Sequence, residues 1–110
     1  MEIINAHVHV YPDAIAQKAA MAIGAFYNAP VRQDGSISGL LEESKACGIS
    51  RSLIHSVATT THQVQSINNF IHEQMGLHKE FIGFMALHPD MEKSAIEDEV
   101  QKCKIGRAHV

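Results

Sequence analysis

Two histidines one residue apart, His7 and His9, are the residues of this chain best suited to chemistry. In an extended strand, residues i and i+2 point the same way, with side chains about 6–7 Å apart. Two imidazoles placed so can grip a single divalent metal. The segment Glu2–Val10 reads as that strand, with Ile4, Ala6, Val8 and Val10 on one face and Ile3, Asn5, His7 and His9 on the other. A helical pattern follows it, as in a parallel strand with a crossover. A strand covered on both faces would bury two unpaired imidazoles at a cost, and metal ligation relieves that cost. The pair also stands at the carboxyl end of the strand, where parallel α/β folds build their sites.

Further polar residues approach the same rim. His55 lies near the end of a second apolar run, and His88 lies just after a third. Together with Ser56 and Thr59 they are the candidate substrate-binding residues, read as lining a pocket rather than as metal ligands. Backbone N–H groups at the start of the helix after Thr60 are placed to receive a substrate carboxylate. His62, His72 and His78 fall in or at the end of that helix and read as surface residues. There is no Cys-x-x-Cys, glycine-rich phosphate loop, Gly-x-Ser-x-Gly or basic-aromatic patch.

The elements that must position these residues alternate. Strand runs at Glu2–Val10, Arg51–Val57 and Phe81–Leu87 are separated by helical patterns, which predicts an α/β fold with a parallel sheet. The first helix is expected from Asp13 to Gly24, with Ile15, Ala19, Ala22 and Phe26 facing inward. Ser38 is the expected cap of the second helix and Gly48 its stop. Thr60 and Gln63 have capping-box spacing for the third, whose stripe is Val64, Ile67, Ile71 and Met75. Asp90 is the expected cap of a fourth, with Ile96, Val100 and Cys103 inward. Cys47 and Cys103 are expected as buried free thiols on helix faces.

Composition narrows the function. The chain has 110 residues, 45% hydrophobic and 19% charged, which excludes a disordered composition. Nine basic and twelve acidic residues give a net charge of −3, against a nucleic-acid surface. No apolar run approaches the ~20 residues of a membrane span, and the N-terminus lacks the pattern of a secretory signal. A cytoplasmic protein is expected.

A parallel sheet of three strands leaves two open edges, so a longer fold is expected, with residues 1–104 as part of it. The last six residues, Ile105–Val110, match the translation of a sequencing adapter, ATC GGA AGA GCA CAC GTC. They are expected to be a non-native tail and carry no fold or site reasoning.

The segment Ile3-Ile4-Asn5-Ala6-His7-Val8-His9-Val10-Tyr11-Pro12 resembles the opening of the amidohydrolase superfamily, in particular its amidohydrolase-related branch of metal-dependent hydrolases. His55-Ser56-Val57-Ala58-Thr59-Thr60 and Gly83-Phe84-Met85-Ala86-Leu87-His88-Pro89-Asp90 look like the ends of that branch's second and third strands. The resemblance implies that residues 1–104 are the first three βα units of a (β/α)8 TIM barrel. It implies a divalent metal, zinc above all, held by His7 and His9 together with histidines and an aspartate from later strands. Asn5 departs from the family, which more often has Asp there.

The implied activity is metal-dependent hydrolysis of an amide, ester or lactone carbonyl in a small carboxylate or cyclic carbonyl substrate. The general base would be the late aspartate, so no catalytic residue is expected within residues 1–104, and the 110-residue chain alone is expected to be inactive. A metal-dependent decarboxylase of the same branch is the alternative enzyme. A small non-enzymatic α/β protein that binds a metal or a partner is the alternative of another class.

Overall fold

The computed structural model describes residues 1–105. They form, in order, β1 (Ile4–His9), α1 (Asp13–Tyr27), α2 (Ile37–Cys47), β2 (Arg51–His55), a short 3-10 turn (Thr61–Gln63), α3 (Val64–Leu77), β3 (Phe81–Gly83) and α4 (Lys93–Ile105). The three strands make one parallel sheet in the order β1-β2-β3. This is the α/β arrangement expected from the alternating pattern. Gly106 to Val110, most of the suspected tail, lie outside the described residues.

The core forms where β1, β2 and β3 meet α2 and α3. Val8, Val10, Ile54, Ile71 and Phe81 are buried there, with Ile37, Leu40, Leu41, Ile67, Phe70 and Met75 packed around them. Full burial of one side chain such as Ile54 stabilises by about 1.5–3 kcal/mol. A second cluster of Ala58, Val64 and Ala86 sits beyond the carboxyl ends of the strands, backed by Ile67 and Met91. Gly83 is what lets α3 lie this close to β3: a Cβ there would run into Ile71 and Met75.

β1 departs from regular pairing. Asn5 pairs with Ser52 and Val8 with Ile54, so Ala6 and His7 together oppose Leu53. One extra residue on one strand is a bulge, and it bends and twists the strand locally. The Asn5 side chain serves this bulge, since its Oδ1 accepts the His7 backbone N–H at 3.3 Å. The inner face expected for β1 is only half realised: Val8 and Val10 are buried, whereas Ile4 and Ala6 are exposed.

β3 is shorter than the apolar run that carries it. Its ladder ends as the Phe84 N–H donates to the Ile54 carbonyl at 3.0 Å. Beyond it the backbone of Ala86 is met by a side chain. Asn68 accepts the Ala86 N–H at 2.7 Å and donates to the Ala86 carbonyl at 3.0 Å. The amide thus does for Ala86 what a neighbouring strand would do.

Several helix details correct the sequence expectations. α1 runs on to Tyr27 and is ended by Asn28 in the left-handed region, φ 49°. It buries Ala16 and Ala20 and not the Ile15–Ala19–Ala22–Phe26 stripe; Ile15 and Phe26 are exposed. The small alanines allow close approach, and the larger residues have no neighbouring element to cover them. Ser36, not Ser38, caps α2. Its Oγ accepts the Gly39 N–H at 3.0 Å and donates to Asp34 at 2.6 Å. Asp34 thereby holds the capping hydroxyl in place, and the Ser38 hydroxyl lies 3.3 Å from Ser36 Oγ. Gly48 ends α2 in the left-handed region as expected.

α4 begins at Lys93, after a turn, so Asp90 does not cap it. Cys103 is buried as expected, but Cys47 is exposed. Cys47 is the last residue of α2, nearly two turns past the leucines that pack on the core. Among the described residues no helix is long and apolar enough to cross a membrane.

Candidate metal centre

Three imidazoles converge at the carboxyl ends of β1 and β2. His7 and His9 project from the same side of β1, and their Nε2 atoms lie 3.1 Å apart. The register of the sheet sets His9 directly opposite His55. The His55 ring centroid is 4.6 Å from that of His7 and 4.6 Å from that of His9. One ligand nitrogen from each ring lies within 4.8 Å of the others. His7 is exposed, while His9 and His55 are half-buried, so the group is anchored on the core side and open toward solvent.

Hydrogen bonds orient these rings. His9 Nδ1 lies 3.3 Å from the His55 carbonyl oxygen. The carbonyl only accepts, so His9 carries its proton on Nδ1 and presents the Nε2 lone pair to the group. The 3.1 Å contact then has His7 Nε2–H donating to His9 Nε2, a proton that a shared cation would displace. Two imidazole nitrogens on one tetrahedral zinc stand about 3.3 Å apart, from Zn–N bonds of about 2.0–2.1 Å. The observed pair is therefore already near chelating distance. Among the described residues no carboxylate joins the group. A set of neutral imidazoles suits zinc, copper, nickel or iron better than magnesium or calcium.

Burial pushes the His55 imidazole below its ordinary pKa, and the neighbouring His9 and His7 push it the same way. His55 therefore stays neutral, with a lone pair available, to more acid pH than a free histidine.

The remaining sequence candidates do not join the group. Ser56 is buried and its hydroxyl donates to the Val10 carbonyl at 2.7 Å. It ties the exit of β2 to the exit of β1. Thr59 donates its hydroxyl to Gln63 Oε1 at 2.9 Å, and its N–H donates to the same atom at 2.7 Å. Thr60 and Gln63 form the expected capping box: the Gln63 side chain takes the N–H groups of Thr59 and Thr60, and the Thr60 side chain takes the Gln63 N–H. His88 accepts the Asp90 N–H through Nδ1 at 3.1 Å and shapes the turn before α4. His62 and His72 are exposed, as expected. Two open hollows of about 420 and 430 Å³ lie elsewhere, the first around Arg51 and Phe81 at the opposite ends of the strands, the second around Tyr11 and Phe70.

Sequence reasoning missed a buried polar cluster behind the sheet. Glu99 is 4% exposed and accepts from Asn68 at 2.9 Å and from Lys102 at 2.8 Å. Burial alone would raise its carboxyl, but the bonds from Lys102 and Asn68 and the Lys102 charge outweigh that and hold it below the usual range. Burial and the Glu99 charge raise the adjacent Cys103 thiol. The cluster joins α3, α4 and the Ala86 segment.

Comparison with family models, curated proteins and solved structures finds no match to this chain.

Proposed function

We propose that residues 1–104 are the opening strand–helix units of a TIM-type barrel of the amidohydrolase-related branch, and that the whole protein is a divalent-metal hydrolase. The observation that carries this reading is the pair of Nε2 atoms of His7 and His9, 3.1 Å apart at the carboxyl end of β1. The parallel β1-β2-β3 order supports it. So do the apolar residues left uncovered on β1 and α1, among them Ile4, Ile15, Met21 and Phe26, which further barrel units would cover. The radius of gyration, 14.4 Å, is also larger than the ~13 Å of a compact domain of this length.

When bound, a zinc-like ion supplies water acidified to a pKa of about 7 and an electrophile for an amide, ester or lactone carbonyl. The chain's own residues do the positioning. The Asn5 side chain holds the backbone of His7. The His55 carbonyl fixes the tautomer of His9. The half-buried side of the group restricts water to the open side, where a small carboxylate or cyclic carbonyl substrate would enter. The general base is assigned to an aspartate of a later strand.

The test is to sequence the source DNA across codon 104 and assay the encoded protein with zinc. The expected result is a frame that continues into further βα units with a late aspartate, and zinc-dependent hydrolysis of amides, esters or lactones that His7→Ala abolishes. Zinc-dependent decarboxylation of an aromatic acid instead would replace the hydrolase with the lyase. A genome that itself encodes Ile105–Val110 and a stop would overturn the barrel reading.

A further inference from the structure

We propose that His55 is a third ligand of the metal site, so that β1 and β2 together present three imidazole nitrogens to one ion. This rests on the metal-site reading above and extends it to a residue outside the pair that the sequence marked.

The placement of His55 follows from the sheet. Parallel pairing sets it against His9, and its ring stands 4.6 Å from both other rings, edge to face at 68° and 65°. The three ligand nitrogens lie within 4.8 Å of one another. The His7–His9 separation already matches chelation, so only the His55 side chain has to close on the pair. Two features favour a cation as the shared occupant. The rings bring their ligand nitrogens together, and among the described residues no carboxylate joins them to balance a protonated cluster. His55 also fixes His9 through its own carbonyl, the kind of outer-shell bond that accompanies metal-binding histidines. Three protein nitrogens with one side open is the pattern of a catalytic rather than a structural zinc site. The ion class is a divalent first-row metal with affinity for imidazole, such as zinc or cobalt.

The experiment uses the full 110-residue chain with Co(II) and Zn(II) near neutral pH. Co(II) uptake is read by visible absorption, and far-UV circular dichroism checks the fold of each variant. His55→Ala should weaken Co(II) binding about 100-fold, at least the loss seen for an outer-shell partner, while His62→Ala and His72→Ala bind as the parent does. A second readout needs no variant: on adding zinc, the imidazole nitrogen resonances of His7, His9 and His55 should shift together while those of His62 and His72 stay. If His7 and His9 respond and His55 does not, this proposal falls and the hydrolase reading stands. If no histidine responds and no Co(II) binds, this proposal falls, and the hydrolase reading is decided by the zinc assay of the longer protein. If all three respond but the longer protein hydrolyses nothing, the three-imidazole site stands and the hydrolase reading falls.

Discussion

His9 and His55, 46 residues apart in the chain, are joined by a bond from the ring of one to the backbone of the other, His9 Nδ1 to the His55 carbonyl at 3.3 Å. This contact fixes which nitrogen of His9 faces the other imidazoles. It makes the candidate metal centre a property of two adjacent strands rather than of a dipeptide motif.

Metal affinity should therefore depend on pH in a defined direction. Ligation needs neutral imidazoles, so protons compete with the ion. Burial and the neighbouring His9 and His7 keep His55 neutral below the ordinary histidine range, so it yields to protons later than a free imidazole does. Zinc binding should be full at mildly alkaline pH and fall progressively below about pH 6.5. Isothermal titration across that range checks this, and an affinity unchanged in mild acid would exclude histidine ligation.

Asn68→Ala should destabilise the fold well beyond a surface substitution. It strips Ala86 of partners for both its N–H and its carbonyl and removes a donor from Glu99. A buried group left unsatisfied costs about 1–3 kcal/mol, and urea midpoints measure the difference. A change within the scatter of surface mutants would mean that water replaces the amide.

Glu99 should contribute to acid sensitivity. Its folded-state carboxyl is held below the usual range despite burial. Its stabilising contribution is thus present above the unfolded value of about 4.3 and is lost as pH falls through the lower folded value. The wild-type chain should lose stability on acidification more steeply than Glu99→Gln, which has no proton to take up. Parallel acid limbs for the two proteins would contradict the assignment.

Gly83→Ala tests the close approach of α3 to β3. The added methyl meets Ile71 and Met75, and overpacking of this kind costs about 1–3 kcal/mol. Thermal or urea unfolding should show that loss. Met75→Ala in the same chain should restore part of it, since Met75 is one of the two obstructing side chains.

Ser56→Ala separates a structural hydroxyl from a substrate contact. Its only hydrogen bond among those described runs to the Val10 carbonyl, so the expected loss is about 1 kcal/mol of stability with metal affinity unchanged. A Co(II) affinity that fell with the hydroxyl would return Ser56 to the site.

The strand–helix order was legible because apolar runs and helical stripes alternate cleanly along the chain. The His7–His9 pair was legible because a two-residue spacing fixes the side of a strand. His55 was visible only as a rim residue, since its place against His9 depends on a sheet register that no local pattern carries. No local pattern marks Asn68 and Glu99; what buries them is a pairing with Ala86 and Lys102 that exists only after α3 and α4 have packed. The phase of α1 was misread for the opposite reason. Its largest residues drew the inward face, whereas the fold brings its alanines in and leaves Ile15 and Phe26 uncovered.

The bulge at Ala6 and His7 divides β1 into two independently pinned halves. Upstream, the Ile3 carbonyl accepts the Ser50 N–H and Ile4 pairs with Arg51; downstream, Val8 pairs with Ile54 and His9 with His55. An alternating strand is a parity device, and an insertion normally inverts everything on one side of it. Here the parity change is already made, upstream of His9. The first residues of the chain are thereby free to drift in length and composition without turning the imidazoles away from one another, whereas a single residue gained or lost between His7 and His9 would scatter them.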